Sequence, residues 1–274
     1  MTASVAALPM YDWPELRAQT DAEWVRLRDI LRAQGVDAPE RLARINSDLP
    51  AVSGGIRDAS GQVIAPDPAS LPPAPLHLPT LWRHPNLFFA QACWGPMELG
   101  LSEHVQVIGQ SSYDDFEGGQ GAYYSSAILM RCGMGDPIPA PADGRPVIPM
   151  DIIRGKRLGY NSLDSMSGMI ALARDLAAMG ERLDVIFPDQ IETSGHRASM
   201  IAVAEGRADV CAVDCRSFAM ARQVEAAAER LQAVGWTARR HGLPFITSAR
   251  MPAHIVTTLR SALAQPAMSL SSSL

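Results

Sequence analysis

The chain has 274 residues, of which 47% are hydrophobic and 19% charged, and its formal net charge is −5. Those figures describe one large domain or two ordinary lobes with enough apolar residues for a core. They exclude a disordered chain and a general nucleic-acid-binding surface, and no run approaches the about 20 apolar residues that span a bilayer.

Residues 3–11, "ASVAALPMY", predict a buried strand that ends at a turn. Asp21 is expected to cap a helix whose Trp24, Leu27, Ile30 and Leu31 share one face, with Gly35 as its stop. Residues 50–79 are rich in Pro, Gly, Ala and Ser and read as a surface excursion. "NLFFAQACW" (86–94) predicts a strand followed by a Gly95-Pro96 turn, and "HVQVIGQ" (104–110) another strand. Gly118, Gly119 and Gly121 form a flexible link into a strand over 122–132, on which only one of Tyr123 and Tyr124 can face a given side.

Further on, "PMDIIRG" predicts a short helix, "KRLGYN" (156–161) a strand and residues 165–180 a helix. "LDVIFPD" reads as a strand, "GHRASMIAVAEGRA" as a helix and "DVCAVD" (209–214) as a strand. "CRSFAMARQVEAAAERLQ" is helical at least in part, "LQAVGWT" and "LPFITSA" are strands, and "MPAHIVTTLRSALAQ" is a closing helix before a frayed serine-rich tail. Alternating strands and helices imply an α/β architecture with largely parallel sheets.

Cys93, Cys132, Cys211 and Cys215 have no zinc-site spacing and read as reduced thiols, so neither metal nor cofactor is expected. The start, "MTASVAALPMYDWPE", lacks a basic n-region and reads as cytoplasmic; a periplasmic chain trimmed of its leader would read the same.

Three polar turns stand where the chemistry is expected. Asn161 and Ser162 leave a strand, and Ser165, Ser167 and Gly168 open the next helix. A helix start offers unpaired N–H groups and the positive end of its dipole, and uncharged hydroxyls add donors for an oxyanion. In "TSGHRASM", Ser194 or Gly195 caps a helix and His196 points from its first turn, where it can donate to the same anion. Asp214 ends a strand, either as a helix cap or as a carboxylate that pairs with a ligand amine. Tyr124, Ser125 and Ser126 enter a strand behind the glycine link, and Tyr11 ends the first strand.

The chain resembles the phosphate/phosphonate-type substrate-binding proteins of ABC transporters. The resemblance rests on "LPMYDWPE", "LWRHPNLFFAQACWGP" (81–96), "VIGQSSYDDFEGGQGAYYSSAILMR" (107–131), "SMSG" (165–168), "SGHRAS" (194–199) and "AEGRADVCAVD" (204–214), in family order over nearly the whole chain. It implies the type II periplasmic-binding-protein fold: two α/β lobes joined by a hinge, with the ligand cleft between them. Lobe 1 would take residues 1–115 and 218–274, with an insertion at about 50–79; lobe 2 would take 116–217.

The resemblance also implies a protein that is no enzyme and that captures phosphate, phosphonate or a similar small anion by lobe closure. An ABC transporter permease is the implied partner, and the chain itself would be a monomer or weak dimer. Ser165, Ser167, Gly168 and His196 would hold the phosphonate oxygens, with Tyr124, Ser125 and Ser126 near the lobe crossing. Asp214 corresponds loosely to the acidic groups that bind a ligand's amine, and Trp94 stands where many relatives carry a smaller or tyrosine-like residue.

Two other readings stay open. An α/β enzyme would draw on Cys93, His196 and Asp214, but no nucleophile elbow, P-loop or dinucleotide fingerprint accompanies them. The same fold could instead serve an aromatic metabolite such as a pyrimidine precursor, with Tyr11, Trp94 and Tyr124 stacking on it.

Overall fold

The structure is a computed structural model that describes residues 4–265, so the expected frayed tail lies outside the described residues. The chain divides into two compact units: Met1–Ser111 with Leu243–Leu274, and Ser112–Gly242.

The first unit is built on a four-stranded sheet in the order Val5–Ala7, Leu87–Gln91, Pro244–Ser248, Val105–Gln110. Its first pair is parallel, but Pro244–Ser248 runs against both neighbours. A parallel neighbour needs a crossover within the unit. This strand instead arrives from the second unit, so the expected parallel sheet is mixed.

Ala6, Phe89, Ile108 and Phe245 pack with Trp24, Leu27 and Leu31 of the helix Arg17–Ala33 and with Leu259 of the helix Ala253–Leu263. Trp24, Phe89 and Phe245 form a ring series with centroid spacings of 5.7 and 5.0 Å. Val5, Ala7, Leu87 and Ile246 bury with Leu81, Trp82, Met97 and Leu101.

Several local expectations change. The first strand is shorter than residues 3–11, because a turn already begins at Pro9. The helix begins at Arg17, behind a short 3-10 turn at Pro14–Leu16, so Asp21 lies inside it rather than capping it. Asp21 accepts from Arg44 at 2.9 Å, and the same guanidinium grips Asp12 at 2.7 Å. Gly35 does stop the helix, with a left-handed φ of 78°. Gly95-Pro96 is no turn: both lie in the first turn of the helix Trp94–Glu98, where a proline's missing N–H costs nothing. The 50–79 excursion carries a hairpin of Ile56–Arg57 with Val63–Ala65.

The second unit holds a five-stranded sheet in the order Asp189–Glu192, Arg157–Tyr160, Val210–Asp214, Ser126–Arg131, Leu231–Trp236. The first three strands are parallel and the last two antiparallel to their neighbours. Leu231–Trp236 belongs to this sheet, so the chain returns to the first unit at Leu243 and not at the expected residue 218. "LDVIFPD" is not a strand. Leu183–Ile186 is a helical turn that buries Ile186 and Phe187 and leaves Val185 exposed, and the strand starts only at Asp189. Leu183, Ile186 and Phe187 stand at helical spacing, which a short apolar run does not distinguish from a strand.

The expected strand over 122–132 breaks at Ser125, whose N–H donates to Gly118 O at 2.8 Å. Tyr124 is buried and Tyr123 exposed, as alternation requires. Asp175 is buried and accepts from Arg240 Nη2 at 2.6 Å and from Ala238 N at 2.8 Å, which ties the helix Ala171–Ala178 to residues 238–240.

Asp209 sits between Arg157 and Arg131. Hydrogen bonds from Arg157 hold its carboxyl well below the usual carboxylate range. A carboxyl depressed in the fold adds stability above its unfolded pKa of about 3.9 and loses it as the pH falls further. Asp209→Asn should therefore flatten the acid limb of a stability-versus-pH curve below about pH 4, measured by urea melts.

Candidate functional site

The three parallel strands of the second unit end at Tyr160, Glu192 and Asp214, and the polar turns follow on that carboxyl edge. Ser126, the first residue of its antiparallel strand, pairs in register with Asp214. This is the edge at which open α/β sheets bind ligands.

Ser165 caps the helix start and its Oγ accepts from Gly168 N at 3.1 Å. The first turn is wide. Both Met169 N and Ile170 N donate to Ser165 O, at 3.2 and 3.0 Å, so Met166–Ile170 is a π turn before the α-helix Ala171–Ala178. Such turns are rare and recur at functional sites. Gly168 lies tight against Asn161: a Cβ there would run into Asn161 Oδ1 and lie 3.2 Å from His196 Cε1.

Ser167 Oγ lies 2.8 Å from His196 Nε2, and Asp214 Oδ2 lies 3.4 Å from the same nitrogen. Asp214 Oδ1 accepts from Ser217 N at 2.9 Å and so also caps the helix Cys215–Val224. A carboxylate can only accept, which favours the tautomer with the proton on Nε2. In a catalytic triad the acid and the nucleophile use opposite ring nitrogens. Here both use Nε2, so the trio lacks the relay geometry of a hydrolase.

His196 is held neutral by burial, which lowers its pKa against a smaller opposing pull from Asp214. A histidine with a folded pKa below its unfolded value of about 6.5 loses stability as the pH falls through that value. His196→Gln should reduce this loss between about pH 7 and 5 in thermal melts.

Buried Asn161 Oδ1, Ser126 Oγ and His196 Nδ1 have no hydrogen-bond partner among the described residues. Buried polar atoms are nearly always paired, so three along one sheet edge are notable. The turn into the helix His196–Ala204 holds Ser194 at φ 66°, a left-handed conformation that is uncommon outside glycine. Gly195, not Ser194, is the N-cap.

The structure thus brings together Asn161, Ser165, Ser167, Gly168, His196 and Asp214, with Ser126 beside Asp214. Ser125 is buried at the strand break, and the Tyr124 ring packs on Tyr113 at 5.2 Å. Tyr11 and Trp94 belong to the first unit, where Tyr11 is buried and Trp94 packs against the core around Trp82 and Met97. Cys93 lies there too, buried ahead of Trp94.

Sequence reasoning missed Thr193 and Ser199, whose hydroxyls lie 2.6 Å apart and brace the His196 turn, with Thr193 Oγ1 also bonded to Tyr160 O at 2.9 Å. It also missed Arg216, buried with its guanidinium 5.8 Å above the Phe116 ring. An arginine one residue into the helix that Asp214 caps was the available signal.

A family model described as ABC transporter, phosphonate, periplasmic substrate-binding protein matches residues 121–270, more than half of the chain. The chain belongs to that family. The family is one of periplasmic, substrate-binding transport proteins, not of enzymes.

Solved structures agree on the fold. The binding-protein component of an ABC phosphonate transporter from Pseudomonas aeruginosa is 11% identical with a TM-score of 0.57, over 98% of this chain and 77% of its own. PhnD1 from Prochlorococcus marinus, in complex with methylphosphonate, is 13% identical with a TM-score of 0.61, over 97% and 87%. A Xanthomonas citri protein bound to ATP is 12% identical with a TM-score of 0.57, over 97% and 86%. No curated protein sequence matches the chain. The fold of this family member is therefore that of the periplasmic binding proteins, and among the described residues no helix is long and apolar enough to cross a membrane.

Proposed function

We propose that this family member captures a small phosphorus oxyanion, methylphosphonate being the first candidate, at the helix start of Ser165, Ser167 and Gly168. The observation that carries the reading is the clustering of Ser165, Ser167 and His196 on the carboxyl edge of the sheet around Gly168. The hydroxyl hydrogen of Ser165 remains a donor while its oxygen accepts from Gly168 N. The hydroxyl hydrogen of Ser167 adds a second donor, since its oxygen accepts from His196 Nε2, and the helix dipole favours negative charge. Asn161 Oδ1 and Ser126 Oγ suit a ligand that also presents a donor, such as a protonated phosphonate oxygen. A bound PhnD1 with methylphosphonate supports the choice of ligand class.

The trio around His196 Nε2 supports binding without catalysis. We assign the protein to the periplasm and to delivery of its ligand to an ABC transporter permease, in line with its family. Cell fractionation with marker enzymes tests the location.

A thermal-shift panel of methylphosphonate, phosphate, phosphite, sulfonates and pyrimidine precursors tests the ligand class. Ligand at about 100 times its Kd adds about 2.7 kcal/mol of stability. A shift with a phosphorus oxyanion is expected, and shifts confined to planar aromatics would overturn the reading in favour of an aromatic-metabolite site. Ser167→Ala should weaken binding by about 1.5–3 kcal/mol, the worth of one hydrogen bond to a charged group, as read by calorimetry.

The anion and Asp214 flank His196, so binding should raise its lowered pKa and take up a fraction of a proton as the pH falls below about 6.5. Calorimetry in buffers of different ionisation enthalpy reads that uptake, and His196→Gln should abolish it.

A further inference from the structure

The first unit carries an open cavity of about 760 Å³ beside the hairpin of the 50–79 excursion. Its walls come from that hairpin, from the end of the helix Leu78–Arg83 and from the turn after Pro244–Ser248. Arg57, Arg83 and Arg250 line it.

Carbonyl oxygens, not carboxylates, hold these three side chains. Arg57 Nη1 donates to Gly61 O at 2.7 Å and its Nη2 to Gly54 O at 3.3 Å. Arg250 Nη2 reaches Arg57 O at 3.5 Å, and Arg83 Nη1 reaches Pro79 O at 3.5 Å. A guanidinium has five N–H donors, so each of the three keeps several to offer. No carboxylate among the described residues forms an ion pair with any of them.

Asp58, Glu103 and His104 share the wall. Asp58 is turned into its own loop, accepting from Ser60 Oγ at 2.7 Å, Ser60 N at 2.8 Å and Gln62 N at 3.0 Å. Three guanidinium groups against two carboxylates leave the wall positive, in a chain whose net charge is −5. Arg83 is half-buried, and burial lowers its pKa with no acid to offset the loss of water. Arginine forks suit multidentate oxyanions, because planar N–H pairs match phosphate and carboxylate edges.

We propose that this cavity is a second ligand site, which takes a multivalent oxyanion of the di- or triphosphate class on Arg57, Arg83 and Arg250. The excursion thus supplies a binding wall. The site lies wholly within the first unit and is independent of the helix-start site of Ser165 and Ser167.

Tripolyphosphate is the probe, titrated calorimetrically into the full chain and into the Ser167→Ala, Gly168→Ala double variant. The double variant should still bind one tripolyphosphate. Arg83→Gln with Arg250→Gln should weaken that binding about tenfold or more and leave methylphosphonate binding unchanged. Arg57→Gln, on the exposed hairpin, should act in the same direction and serves if replacement of half-buried Arg83 prevents folding. Two outcomes would overturn the site: no tripolyphosphate bound by the double variant at millimolar concentration, or binding indifferent to all three arginine replacements. Binding of an acidic peptide in place of tripolyphosphate would also overturn it.

Discussion

Gly168→Ala should abolish oxyanion binding while leaving the protein folded. The added methyl carbon would collide with Asn161 Oδ1 and press on His196 Cε1 at 3.2 Å. Gly168 does not sit at a positive φ, so the effect comes from space rather than from backbone strain. Relief requires Asn161 to swing out, which removes its Oδ1 from the site, or the π turn at Met166–Ile170 to shift, which moves Ser167 off its 2.8 Å contact with His196. A misplacement of about 1 Å at a preorganised site is enough to lose most of its binding. Calorimetry should show at least a hundredfold loss of affinity against a melting temperature within a few degrees of wild type. Unchanged affinity would mean that the ligand does not use this turn.

The largest loss of stability is expected from Asp175→Ala. Its carboxylate, 4% exposed, is the acceptor for Arg240 Nη2 and for Ala238 N. Removing one partner of a buried pair strands the other, which costs about 3–5 kcal/mol when the survivor stays desolvated. Arg240 keeps a bond to Ala238 O at 2.7 Å and is 21% exposed at its side chain, so the lower end of that range applies. Urea melts should show a fall of about 3 kcal/mol. Asp175→Asn should recover part of it, because an amide oxygen still accepts from Ala238 N.

The serine-rich helix start was legible because its signals are local. Ser165 caps as its type predicts, and the same few residues that cap the helix carry the hydroxyls of the site. Asp214 was legible twice over, as a cap and as a group on the binding edge, and it serves as both cap and neighbour of His196. The shared use of Nε2 by Ser167 and Asp214 was not legible, since it depends on how two separate turns meet. Parallel against antiparallel pairing was not legible either. Pro244–Ser248 and Leu231–Trp236 have ordinary strand sequences, and their direction follows from where the chain has been beforehand. The misread helix at Leu183–Ile186 shows the limit of periodicity over a few apolar residues, where burial of Ile186 and Phe187 decided the outcome.

The two units differ in how the chain builds them. Ser112–Gly242 is unbroken, whereas the first unit is assembled from two segments. During synthesis the ribosome therefore releases every residue of the oxyanion edge before it makes Pro244–Ser248. That late strand occupies an interior place in the first sheet, between Leu87–Gln91 and Val105–Gln110. Until it emerges, both neighbours face a gap with open backbone edges, which are templates for pairing with other chains. The four-stranded sheet is thus the part of the newborn protein whose edges stay open longest, and the part for which a chaperone has most to shield.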